Sequence, residues 1–172
     1  MNIPFITLSR RLLFVLALGS AGALASSCSD KTEVVAKDYS AIDEELIKKY
    51  LTDNGITNAQ RQPSGLYFVP VTTDANSVAA TAGRTVSVLY TGRLLNGTVF
   101  DATSQRGNTP FSFVLGRGEV ITGWDQGIAL MRRGEKAILL IPSALGYGAR
   151  GAGSSIPPNA VLRFDVELTS VN

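Results

Sequence analysis

The sequence predicts an α+β fold: a curved antiparallel β-sheet of five or six strands wrapped around one short α-helix, with an N-terminal amphipathic helix in front of it. Three observations lead there. From Leu66 onward, apolar side chains recur at every second position in short runs, the period of strands with one buried face. Gly, Asn, Asp and Pro separate those runs. Only between Ile121 and Met131 does the apolar spacing change to three and four residues, so the sheet has a single helix of its own to cover its apolar face.

Along the chain, Ser40 reads as a helix N-cap, followed by Ile42, Leu46, Ile47 and Tyr50 at helical spacing. Asp43, Glu44 and Glu45 crowd the first turn, where the helix dipole favours negative charge, and Asn54-Gly55 stops the helix. About three turns of helix do not persist alone in water. Its apolar stripe therefore either docks on the main domain or meets a partner or second copy. Leu66–Val71 is the first strand and Thr85–Thr91 the second, with Val86, Val88 and Tyr90 on one face. Leu95-Asn96-Gly97-Thr98 predicts a hairpin with a type I′ turn, whose two central residues need positive φ. Phe111, Phe113 and Leu115 alternate with Ser112 and Val114. Thr122 with Asp125 three residues on predicts a capping box at the start of the short helix, and Gly134 its stop. Lys136–Ile141 is a further strand, and Leu162, Phe164, Val166 and Leu168 alternate with charged residues in the last one. The expected organisation is residues 1–27 as a signal peptide, 28–38 as a tether, 39–62 as a helical segment and 66–172 as one folded domain.

The leader has the parts of an export signal. Arg10 and Arg11 form a basic region, Leu12–Leu18 an apolar core and Ala21–Ser27 a run of small residues. The apolar stretch is shorter than the ~18 residues of a spanning helix. Cys28 follows Leu24-Ala25-Ser26-Ser27, which resembles the lipobox of bacterial lipoproteins, with its leucine one place early and Ala25 in the usual leucine position. The resemblance implies lipidation at Cys28 and an exported protein held by lipid on the bacterial cell envelope, at the outer membrane or periplasmic face. An ordinary cleaved secretory signal or an uncleaved N-terminal anchor are the other readings. Ser29–Glu33 also resembles the acidic export tag of some Gram-negative lipoproteins.

Composition narrows the chemistry. The 172 residues include no histidine and one cysteine, which excludes an imidazole base, a Ser-His-Asp relay, a His-ligated zinc and an internal disulfide. Arg10 and Arg11 are two of the 16 basic residues, so without the leader 14 basic residues face 14 acidic ones. A neutral chain has no electrostatic footprint for nucleic acid. Of 13 aromatic residues, seven lie between positions 90 and 164: Tyr90, Phe100, Phe111, Phe113, Trp124, Tyr147 and Phe164. That exceeds what a small sheet with one helix needs to fill itself. Together with the long loop from Ala144 to Asn159, it suggests an apolar pocket beneath a flexible flap.

The segments Val88-Leu89-Tyr90-Thr91-Gly92, Gly97-Thr98-Val99-Phe100-Asp101, Pro110-Phe111-Ser112-Phe113, Gly118–Gly127 (GEVITGWDQG), Tyr147-Gly148, Ile156-Pro157-Pro158 and Phe164–Leu168 (FDVEL) resemble FKBP-type peptidyl-prolyl cis-trans isomerases, in the order and nearly the spacing of that family. The resemblance implies an FKBP-like fold with the active pocket between sheet and helix. It places Trp124 at the pocket floor, Tyr90, Phe113 and Phe164 as aromatic walls, and Val120 and Ile121 along one side, with the Ile121 N–H offered to a bound peptide. Phe100 and Asp101 would sit at the rim with Phe111. Tyr147 and Ile156 would come from the flap, the tyrosine hydroxyl bonding a substrate carbonyl. In this reading Tyr90, Asp101, Tyr147 and Phe164 are catalytic and the others bind substrate. One extra residue between Asp101 and Pro110 leaves open whether Arg106 is the basic partner of the aspartate, and Ala152 and Ser155 depart from common flap residues.

The implied partners are proline-containing segments of unfolded or exported proteins and macrolide immunosuppressant-type ligands. No cofactor or metal is implied. Rotation about an X-Pro bond needs neither acid nor nucleophile, because the twisted transition state is less polar than the planar amide and an apolar pocket favours it. Asp101 reads either as an electrostatic group at the substrate or as a structural acid at a strand end. The alternative function is a non-catalytic chaperone or binding module for proline-containing segments.

Overall fold

The computed structural model describes residues 39–172. The leader, Cys28 and the tether lie outside the described residues. The first element, α1, spans Tyr39–Asp53, so Ser40 lies inside the first turn and does not precede it. Seven strands follow among the described residues: β1 (Gln60–Arg61), β2 (Tyr67–Thr72), β3 (Thr85–Leu94), β4 (Val99–Ala102), β5 (Phe111–Val114), β6 (Lys136–Ile141) and β7 (Leu162–Val171). A short helix, α2 (Thr122–Ile128), falls between β5 and β6. The additional strand is β1, two exposed residues paired with β2, which is too short to show alternation.

All pairings are antiparallel, in the order β1-β2-β6-β7-β3-β4. The start of β3 pairs with β5 and its end with β4, so these two short strands together form one edge of the sheet and β1 the other. Register shifts at Ser87/Val88 and Gly92/Arg93 are the irregularities that bend such a sheet. Val86, Val88 and Tyr90 on β3 and Leu162, Phe164, Val166 and Leu168 on β7 face the main core as their alternation predicts. Trp124, Ile128 and Met131 complete that core from the α2 side.

Three local expectations are corrected. The Leu94 carbonyl accepts from the Gly97 N–H (2.9 Å), so Leu95 and Asn96 are the central turn residues, and only Gly97 (φ +90°) is left-handed. This is a type I turn followed by a glycine bulge, not type I′. Asn96 Oδ1 accepts from the Thr98 N–H (3.0 Å), a local bond that stabilises the turn. The capping box does not form: Asp125 reaches out of the helix to accept the N–H groups of Gly116 (2.8 Å) and Gly118 (3.0 Å). Gly134 does not stop α2, which ends at Ile128; it shapes the turn into β6 with φ +87° and donates to the Leu168 carbonyl (2.6 Å).

The α1 helix docks on the domain. Ile47 is fully buried with Tyr67, Leu140 and Val161 in a second, smaller cluster, while Leu46 faces water. Its acidic first turn is not simply a solvated dipole partner. Asp43 is buried, and Glu44 accepts from the Tyr67 hydroxyl (2.7 Å) and Arg61 Nε (3.0 Å) and pairs with Lys48 (3.0 Å). Burial pushes the Glu44 carboxyl up, but these hydrogen bonds outweigh it and hold the group at about 2.

Candidate active site

Between the sheet and α2 lies a cavity of about 900 Å³, lined by residues from seven different segments. Strand alternation turns Tyr90 inward from β3 and Phe164 from β7, and both are almost fully buried. Phe100 and Asp101 come from β4, Phe111 from β5, and Val120, Ile121 and Trp124 from the entry to α2. Trp124 is the centre of the aromatic set. Its ring meets Tyr90 edge-on at 4.8 Å between centroids, Phe164 at 5.2 Å and Phe111 at 6.2 Å. Phe100 in turn packs edge-on to Phe164 at 5.5 Å. Such T-shaped contacts fix each ring by its neighbours. The Trp124 Nε1 is buried without a hydrogen-bond partner among the described residues.

One polar network crosses the rim. The Tyr90 hydroxyl donates to Asp101 Oδ2 (2.5 Å) and accepts from Arg106 Nη2 (2.6 Å), while Arg106 Nη1 donates to Asp101 Oδ1 (2.7 Å). Arg106 stands at the end of a helical turn, Thr103–Arg106, which directs it back toward the aspartate. The extra residue before Pro110 does not disturb that pairing. Burial pushes the Tyr90 phenol up, and its bond to Asp101 adds to this against the opposing effect of Arg106. The Tyr147 phenol is also raised, by burial and by the Asp101 charge. Thr103 Oγ1 accepts from the Tyr90 N–H (3.1 Å) and donates to the Tyr90 carbonyl (3.2 Å), so the backbone behind the ring is held as well.

The flap closes on itself. Ala152 and Ile156 exchange two backbone bonds (2.8 and 3.0 Å), and the Asn159 N–H reaches the Gly148 carbonyl (2.8 Å). The loop read as flexible is thus a hydrogen-bonded hairpin with a helical turn at Gly148–Arg150. Tyr147 and Ile156 line the cavity from it, and the Tyr147 hydroxyl has no hydrogen-bond partner among the described residues. The Ile121 N–H, at the entry to α2, is likewise free of an acceptor there.

Ten of the eleven cavity residues expected from the sequence meet in this space. Phe113 is the exception. It is buried at 3% exposure, stacked on Phe111 (5.9 Å) and tilted against Trp124 (6.0 Å), so it supports the wall from behind and does not line it. It lies two residues further along β5 than Phe111, toward Leu115 and the core, whereas Phe111 opens to the rim. Glu119 was missed: a second carboxylate lines the cavity, and its Oε2 accepts from the Val114 N–H (3.0 Å). Thr103 was missed too, since a lone threonine after a strand carries no periodic signal. Cys28 lies outside the described residues.

Comparison with known proteins agrees with this geometry. Residues 76–169 match the profile of FKBP-type peptidyl-prolyl cis-trans isomerase. The chain is 45% identical over 107 residues to the peptidyl-prolyl cis-trans isomerase Fkbp12 of Drosophila melanogaster, covering 62% of this chain and 98% of that protein. It is 52% identical over 99 residues to FK506-binding protein 2 of Dictyostelium discoideum, covering 58% of this chain and 74% of the relative. Among solved structures, FkpA from Escherichia coli superposes with a TM-score of 0.66 at 36% identity, over 77% of this chain and 61% of that longer one. A cavity walled by Tyr90, Trp124 and Phe164, a rim aspartate and a matching profile over more than half of the sequence lead to one conclusion: the chain belongs to the FKBP-type peptidyl-prolyl cis-trans isomerases.

Proposed function

We propose that this protein is an exported, lipid-anchored prolyl isomerase that speeds X-Pro rotation in proteins folding at the cell envelope. The observation that carries the catalytic part is the cavity itself, which Tyr90, Phe100, Phe111, Trp124, Tyr147 and Phe164 line with aromatic rings. In this reading Trp124 forms the floor under the pyrrolidine ring, and Tyr90, Phe100 and Phe164 wall it. The Ile121 N–H and the Tyr147 hydroxyl, both without acceptors among the described residues, orient the flanking peptide. The amide twists away from resonance, loses carbonyl polarity, and is favoured by an environment that withholds water. Asp101, tied to Tyr90 and Arg106, holds a fixed negative charge beside that bond and keeps the wall in place. FK506-type macrolides are expected to compete for the same space. Export and anchoring are supported by the leader pattern and by the position of Cys28.

The test is a protease-coupled assay on an Ala-X-Pro-Phe-type peptide with purified full-length protein, compared with its Phe164→Ala and Asp101→Ala variants. Acceleration over the thermal rate is expected, with each variant reduced roughly tenfold or more in kcat/KM. A protein that binds the peptide but leaves the thermal rate unchanged would be a holding chaperone, and the enzymatic proposal would fail.

A further inference from the structure

Of the contacts that α1 makes with the domain, one is hard to explain as packing. Asp43 is 1% exposed, and its Oδ2 accepts both the Ser143 N–H (2.8 Å) and the Ser143 hydroxyl (2.6 Å) across 100 residues of sequence. Its Oδ1 is buried with no hydrogen-bond partner among the described residues. A carboxylate buried with one oxygen unpaired is a poor device for stability, because an apolar side chain of similar size would hold the helix at lower cost.

Ser143 stands at the root of the flap. It opens the helical turn Ser143–Leu145 directly after β6, and that turn is closed by bonds from Leu145 to Pro142 (2.9 Å) and from Gly146 to Ser143 (3.0 Å). Tyr147 follows at once, and the bond from Asn159 to Gly148 closes the loop on itself. Hydrogen bonds therefore run from Asp43 through Ser143 to Gly146, the residue directly before Tyr147. On the face of β7 turned away from the cavity, the Tyr50 hydroxyl of the same helix accepts from Arg163, the neighbour of Phe164.

We infer that α1 sets the height of the flap over the cavity through the Asp43–Ser143 bonds, which makes Asp43 a positioning residue for the isomerase reaction. The inference rests on the cavity being the isomerase site. Asp43 acts through Ser143 on Tyr147 and never meets substrate. It gives the N-terminal segment a catalytic purpose: the segment braces the flap as well as linking the domain to its tether.

The full-length protein is compared with Asp43→Ala, Asp43→Asn and Ser143→Ala, and with Glu44→Gln as a control on the same helix that faces Arg61 and Tyr67. Two readouts are taken well below Tm: kcat/KM on the proline peptide, and amide exchange resolved by residue. Asp43→Ala is expected to lower kcat/KM about three- to tenfold and to speed exchange of the Leu145, Gly146 and Asn159 amides roughly tenfold, with β6–β7 amides unchanged. Asp43→Asn keeps an acceptor oxygen and should retain about half the activity or more. Glu44→Gln should lower Tm yet leave both readouts within about twofold. The inference is overturned if Asp43→Ala stays within about twofold on both, or if Glu44→Gln moves them as far. Should Asp43→Ala not fold, Ser143→Ala decides: a loss of more than about twofold with faster Leu145 exchange supports the brace, and values within about twofold refute it. A wild-type protein without turnover would remove the proposed function, while the exchange data would still show whether Asp43 holds the flap.

Discussion

At the cavity rim, three side chains hold one another. Tyr90 uses its ring as a wall and its hydroxyl as the bridge between Asp101 and Arg106. Replacing Tyr90 with Phe keeps the wall and removes the bridge. The Asp101–Arg106 pair would remain, but it is partly solvated and such pairs contribute little alone. Loss of about 1 kcal/mol in a urea titration is expected, with a several-fold drop in kcat/KM. The phenols of Tyr90, Tyr147 and Tyr67 all lie above their ordinary value of 10.0, with burial as the first cause in each case. A raised phenol stabilises the fold fully below pH 10 and loses that contribution as pH rises through its folded value. Stability should therefore be level from neutral pH to about 9.5 and fall beyond about 10, with a shallower fall in Tyr90→Phe.

Between elements, the close seating of α2 on the sheet and the docking of α1 behind it each make a prediction. A Cβ built on Gly127 would come within 2.7 Å of Leu139, a fully buried side chain of β6. Gly127→Ala gains about 0.8–1 kcal/mol of helix propensity but forces overpacking worth about 1–3 kcal/mol. The packing penalty should win, giving a net loss of about 1 kcal/mol in chemical denaturation. For α1, Glu44 titrates at about 2 in the folded chain against an ordinary 4.5. A depressed carboxylate contributes stability that is present above its unfolded value and is lost as pH falls through the folded one. Urea midpoints should therefore drop between pH 4.5 and 2, and the Glu44→Gln variant should lose part of that slope.

On the scale of the whole molecule, two apolar clusters lie on opposite sides of one sheet. The larger one, under α2, forms the cavity; the smaller one, under α1, joins the N-terminal segment to the domain. Among the described residues no helix is long and apolar enough to cross a membrane. The anchor proposed above is a lipid on Cys28, which the leader pattern suggests. A Cys28→Ala variant expressed with its leader should move from the membrane pellet to the soluble envelope fraction with peptide turnover unchanged. Unaltered partitioning, or a mature N-terminus that carries no lipid mass, would count against lipidation.

The strand pattern was legible because alternation is a local property: Val86, Val88 and Tyr90 reach the core whatever their partners are. The aromatic cavity was legible for a related reason, since Trp124, Phe164 and Tyr147 sit in motifs long and specific enough to identify the family. Where several partners compete for one group, local reading failed. Asp125 satisfies the loop amides of Gly116 and Gly118 and leaves its own helix uncapped. Phe111 and Phe113 share a strand face, yet only one reaches the cavity, because the sheet edge opens to the rim at Phe111 and closes over Phe113. The bond of Arg106 to Tyr90 and the burial of Asp43 against Ser143 depend on residues distant in the chain. The sequence alone established the fold class, the aromatic set and the family resemblance, because these rest on periodicity and contiguous motifs. Folding selected the polar partners, since a hydrogen bond or ion pair is chosen by proximity in space among many donors and acceptors of equal chemistry.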